Sequence, residues 1–240
     1  MTLAERPDLV DPMWDMANTW PAFMLEDPVA DQFFGPAVKY FPDHQLVGLV
    51  DGRVVAKVNA IPFAWDGTDD DLPARGWDAV LERGVRDHEL SVTPTAVSLL
   101  EIRLDPALLG EGRSAGLVAA ARANTVRLGF SDLFGPVRPT RKSDEPLTPM
   151  GEYAHRTRDD GLPFDPWMRV HARAGGRIVR VCPASMTIPG DLSDWRGWTA
   201  LPFDRSGDCV VPGALTPVHV SVEHDHAVYV EPNVWMHHQL

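Results

Sequence analysis

Apolar positions along the chain fall into short alternating runs divided by Gly- and Pro-containing turns, with helical spacing between them, the pattern of an α/β fold. The first stretch is rich in aromatic anchors (Trp14, Trp20, Phe23, Phe33, Phe34, Tyr40, Phe41) and predicts two short helices over 8–18 and 28–40. Asp27-Pro28 marks the start of the second, because Asp accepts from free first-turn amides and Pro tolerates the first helical position. Residues 45–50 and 53–61 are apolar, β-branched runs around Asp51-Gly52 and predict an antiparallel hairpin. An acidic loop (Asp66, Asp69, Asp70, Asp71) reads as solvated, and the helix over 76–87 gathers Trp77, Val80, Leu81 and Val85 on one side. VSLLEIRL, residues 97–104, is the strongest strand, ended by Asp105-Pro106. A helix over 114–128 and a strand over 130–137 then close a β-α-β unit with a parallel pair. Later, Asp165-Pro166 caps a short helix that Gly175-Gly176 ends, and 177–181 alternates as a strand. Residues 183–240, rich in Trp and Pro, are expected to add strands packed on that core, within a single domain spanning 1–240.

Composition narrows the function. With 44% hydrophobic and 23% charged residues the chain is that of a folded globular protein, and a net charge of -12 argues against a nucleic-acid partner. No apolar run reaches the roughly 18–20 residues of a membrane span, and the opening MTLAERPDLV lacks the basic start and apolar stretch of a signal peptide. A cytoplasmic location, no membrane contact and free Cys182 and Cys209 are the expectations.

The chemistry concentrates in LLGEGRSAGL, residues 108–117, between the strong strand and the helix. Three readings fit it. A bare glycine-containing turn needs no ligand. GRSAG, residues 112–116, matches the nucleophile elbow G-x-S-x-G with Ser114 as nucleophile and His219, His224 or His226 downstream, although that motif wants the strand to enter the turn directly. Third, strand, Gly-rich turn and helix together aim backbone amides and the positive helix end at a phosphate.

The third reading carries a family resemblance. Residues 109–114, Leu-Gly-Glu-Gly-Arg-Ser, and the order of elements around them resemble the GNAT (acyl-CoA N-acyltransferase) superfamily, whose loop reads Q/R-x-x-G-x-G/A. Leu109 and Ser114 depart from that pattern; Gly112 keeps it. The resemblance implies a mixed sheet with a splayed parallel strand pair that admits pantetheine, flanked by helices. It also implies acyl-CoA, expected to be acetyl-CoA, as co-substrate without a metal. Ile102, Leu104, Leu109, Gly110, Glu111, Gly112, Arg113, Ser114 and Ala115 are the implied coenzyme-binding residues. The implied reaction is acyl transfer to an amine of a small molecule, with a homodimer contact offered by the extension.

FDPWMRVHARAGGRIVRVCP, residues 164–183, resembles the GNAT helix that carries a tyrosine general acid four residues before a glycine; His171 stands at that place. The same string resembles the GNAT-like domains of polyketide loading modules, where a threonine and a histidine work on a malonyl-type thioester, and the GNAT halves of carbon-nitrogen hydrolase fusions. Thr140 and His171 are the corresponding pair, which makes decarboxylation, or acyl transfer to a carrier-protein thiol, the second reading. A CoA-binding domain without turnover is the third. Glu101, within the strong strand, is either a general base or an outward-facing carboxylate. Arg138, Arg141 and Lys142 form a basic group suited to a phosphate or acidic substrate, or simply a solvated turn, and His224-x-His226 reads as a polar hairpin.

Overall fold

Asp51 and Gly52 both adopt positive φ, 50° and 78°, in the computed structural model of the chain, which describes residues 1–110 and 112–240. That turn matches strand twist and joins β1 (Leu46–Val50) to β2 (Arg53–Phe63). Asp27 caps α2 (Pro28–Tyr40) by accepting from the amides of Val29 and Ala30, and α3 (Gly76–Glu89) buries Trp77, Val80, Leu81 and Val85 as its spacing predicts. The two helices meet at a pair of buried carboxyl groups, Asp27 and Asp78. The first helix, α1 (Val10–Trp14), is shorter than 8–18. Asn18 accepts from the Trp20 amide at 3.0 Å, a local bond that competes with helix and fixes the entry of Trp20.

β3 (Ala96–Leu104), α4 (Arg113–Arg127) and β4 (Asp132–Val137) form the β-α-β unit. β4 starts later than residue 130 because Gly129, at φ 89°, and the Phe130 amide, bonded to the Thr125 carbonyl, close the C-terminus of α4. There follow α5 (Met150–Ala154), α6 (Pro166–Arg173), β5 (Arg177–Gly190), α7 (Leu192–Thr199), β6 (Gly207–Cys209), β7 (Val218–Ser221) and β8 (His226–Gln239). β5 runs well past residue 181: its ladder with β8 breaks between Cys182 and Met186, around Pro183, which has no amide hydrogen, and resumes to Gly190.

The eight strands make one mixed sheet in the order β1-β2-β3-β4-β8-β7-β6, with β5 also paired to β8. β8 therefore has β5 along one edge, and β4 and then β7 along the other. The residues after 182 thus supply strands of the sheet itself, with Trp235 and Met236 fully buried in its middle. α4 covers one face, where Ala121 and Leu117 meet Val58, Leu99 and Ile102. α2 and α3 cover the other, over Phe63, Leu100, Phe134 and Trp235. Both cysteines are free, and no helix among the described residues is long and apolar enough to cross a membrane.

Candidate active site

The site begins at the one parallel strand pair among the described residues. β3 and β4 are bonded at Val97–Leu133 and Ser98–Phe134 and then part. Opposite β2, Leu99 pairs with Ala60 and Glu101 with Asn59, so Leu100 is an extra residue, a bulge that bends β3 and adds twist just where β4 leaves it. Pro136, without an amide hydrogen, lies in the part of β4 that β3 has left.

At the open end, Gly110 and Gly112 take φ of 82° and 72°, and Gly112 is the N-cap of α4. A glycine cap has no side chain to close the helix end, so the dipole's positive end and the backbone around it suit a pyrophosphate. Leu109, Gly110, Gly112, Arg113 and Ala115 are exposed there, Ser114 partly so, and Ile102 and Leu104 sit on β3 leading to them; Glu111 lies outside the described residues. The cradle fits a coenzyme A diphosphate. The elbow geometry is absent, because the turn Pro106–Leu108 separates β3 from Ser114, and His219 and His224 hold Asp208 and Ser221 instead. Gly112→Val is expected to abolish the rise in melting temperature that CoA produces. A Cβ at Gly112 would meet nothing within 4 Å, so the effect there comes from forcing a β-branched residue into left-handed backbone. Thermal shift with and without CoA checks it.

On the opposite face, Glu101 is buried, not outward-facing, and three donors meet it. Trp20 Nε1 donates at 3.0 Å, Arg103 lies at 2.6 Å and Lys57 Nζ at 2.8 Å. Burial pushes its carboxyl up, but Lys57 and Arg103 outweigh that and hold it below the usual range. A carboxylate so bonded is a poor proton acceptor, which counts against the general-base expectation. The Trp20 ring also lies 5.4 Å from the Arg138 guanidinium, just beyond β4. One indole thus spans the two strands that part. Arg138 is itself bonded to the fully buried Glu231 at 2.9 Å and to the Gly213 carbonyl at 2.6 Å.

The basic group therefore dissolves. Arg138 is an internal ion pair, Lys142 is fully buried with Nζ donating to the carbonyls of Glu145 and Leu215, and only Arg141 is at the surface, paired with Asp144. None of the three forms an open phosphate site.

Thr140 and His171 lie in different settings. Thr140 is exposed, and its neighbour Arg141 donates its amide to Asp165, the N-cap of α6. His171 is in the last turn of that helix, about 9 Å further along its axis. It is buried on the α4 face, with Nδ1 2.9 Å from His238 Nε2, while His238 Nδ1 lies 3.0 Å from Arg122 of α4. Burial and then His238 push His171 down to about 3, so it is neutral at physiological pH. His238, which looks terminal in sequence, is thus part of the α4–α6–β8 junction, while the adjacent His237 stacks on Phe134 and meets Asp132 instead. His171→Ala is expected to lower stability by about 2–3 kcal/mol, through lost packing on Trp167 and an unpartnered His238, without moving the pH profile of turnover near neutrality. Denaturant melts and a pH–rate profile check it.

No family model matches the chain. Arginine N-acetyltransferase avaD of Aspergillus versicolor is 31% identical over 271 aligned positions, covering 100% of this chain and 93% of that protein. The loading GNATL domain of CurA from Lyngbya majuscula superposes with a TM-score of 0.62 at 14% identity, over 100% of this chain and 94% of that one. The GphF GNAT-like decarboxylase in complex with isobutyryl-CoA gives 0.55 at 16% identity, over 97% and 95%. At such identities these two structures speak for the fold. Together with the full-length relative, the splayed parallel pair and the glycine-capped helix, they show that the chain belongs to the GNAT superfamily of acyl-CoA N-acyltransferases.

Proposed function

We propose that this protein transfers the acetyl group of acetyl-CoA to an amine of arginine or a closely similar small molecule. The observation that carries the reading is the full-length identity to a named arginine N-acetyltransferase. In this reading the backbone of 112–115, at the start of α4, holds the coenzyme diphosphate, and the edge of β3 at Ile102 and Leu104 guides pantetheine toward the bulge at Leu100. The acceptor enters from the face of Trp20 and Glu101, opposite α4. Its amine nitrogen attacks the thioester carbonyl, the new C–N bond forms, the C–S bond breaks, and the amine proton leaves as the thiolate takes up another. The low proton affinities of Glu101 and His171 support a mechanism that rests on positioning more than on a strong acid or base.

The decarboxylase reading would need Thr140 and His171 to act together on one thioester, and an exposed Thr140 beside a His171 buried against His238 counts against it. Incubation of the purified protein with acetyl-CoA plus arginine, and separately with malonyl-CoA, tests both. Thiol release that depends on arginine is expected. Carbon dioxide from malonyl-CoA, with no arginine-dependent thiol release, would overturn the reading.

A further inference from the structure

The ion cluster beside the gap is out of balance. Two cations, Lys57 and Arg103, share the single carboxylate of Glu101, with side-chain exposures of 2%, 11% and 6%. Among the described residues no other carboxylate is ion-paired with either cation. Trp20 takes a further position on the same carboxylate. Arg103 reaches the Met16 carbonyl only at 3.5 Å, and its Nε is buried with no acceptor. The cluster thus keeps one uncompensated positive charge and one unused donor away from water, in a chain whose net charge is -12. Buried charge of this kind is strongly unfavourable unless an anion joins it. The coenzyme diphosphate does not supply that anion, because α4 covers the other face of the sheet, with Leu99 and Ile102. What enters from the Trp20 face is the acceptor.

Resting on the acyl-transfer reading above, we infer that Arg103, with Lys57 beside it, receives a carboxylate of the acceptor. The acceptor is then an amino acid with its carboxyl group free, and not the corresponding decarboxylated amine. Arg103 suits the role because its planar fork still has a donor to offer after Nη2 has taken Glu101.

The test compares arginine, arginine methyl ester and agmatine as acceptors under saturating acetyl-CoA, following thiol release. Wild type is expected to favour arginine over both analogues by about fiftyfold in kcat/KM, mostly through KM, as losing a charge-assisted hydrogen bond implies. In Arg103→Gln that preference should collapse to within a few fold, with circular dichroism confirming the fold. Equal use of the three acceptors by wild type overturns the carboxylate subsite while leaving N-acyl transfer standing. A wild-type preference that survives Arg103→Gln also overturns it, since the carboxylate must then be held elsewhere. If Arg103→Gln does not fold, the wild-type comparison alone decides. No thiol release with any of the three overturns the parent reading, and this one with it.

Discussion

Glu101→Ala is expected to destabilise the protein by about 3–5 kcal/mol, a fall of roughly 10 °C or more in Tm, and to abolish turnover. Removing the carboxylate leaves Lys57 and Arg103 facing one another as buried like charges and deprives the Trp20 indole of its acceptor. Burial already holds Lys57 below its usual value, only partly offset by Glu101, so without that carboxylate Lys57 should shed its proton more readily. The double variant Glu101→Leu/Lys57→Met should recover part of the stability but none of the activity, because it removes one of the two cations left unpaired, with Arg103 still lacking a carboxylate, and also the ordered gap. Urea melts of the two proteins measure this. A loss under about 1 kcal/mol for Glu101→Ala would mean that the cluster behaves like surface ion pairs.

The second large effect is a stability maximum near pH 6–7 whose alkaline side depends on one residue. Asp78 is buried against Asp27, and its carboxyl is pushed up to about 8 by burial first and by Asp27 next. Asp27 Oδ2 and Asp78 Oδ1 have no other hydrogen-bond partner, the arrangement of two carboxyl groups sharing a proton. The native pair keeps a proton that the unfolded chain releases near pH 4, so stability falls as pH rises, by about 1.4 kcal/mol per unit, until that proton is lost near pH 8. His44, His171 and His238 act in the opposite sense. Burial first, with neighbouring charge, lowers them to about 4, 3 and 4, so they stay neutral in the native state while the unfolded chain takes up protons below pH 6.5. Three such groups outweigh one shared proton below pH 6.5, and stability there falls as pH falls. Asp78→Asn should flatten the alkaline side and steepen the acid side, since the shared proton opposes the histidines below pH 6.5: its amide can donate to Asp27 while its oxygen still accepts from the Thr187 amide. Urea midpoints from pH 5 to 9 for both proteins check this, and an unchanged alkaline slope in the variant would refute the shared proton.

How far the sequence discloses this molecule depends on the range of the forces involved. Asp27, Asp51-Gly52, Gly112 and Asp165 act on their own backbone within a few residues, so the elements they start are legible directly. The pairing of β8 with β4, β5 and β7 is not, since a buried central strand and a peripheral one carry similar apolar runs. Glu101 shows the same limit within the site: its position on β3 follows from the sequence, but Trp20 comes to it from 81 residues away and decides whether it is a base or an anchor. Lys142 and the Asp27–Asp78 pair are charged residues under tertiary cover, which composition reads as surface.

The place of β8 also sets an order of events in biosynthesis. Its residues leave the ribosome after every strand it joins, so until then β4 and β5 present bare edges to solvent and the two halves of the sheet have no common seam. Non-local pairing of this one segment completes the edge of β4 and gives β5 its partner, and non-local pairing of this kind comes late and leaves edges open to aggregation until it is made.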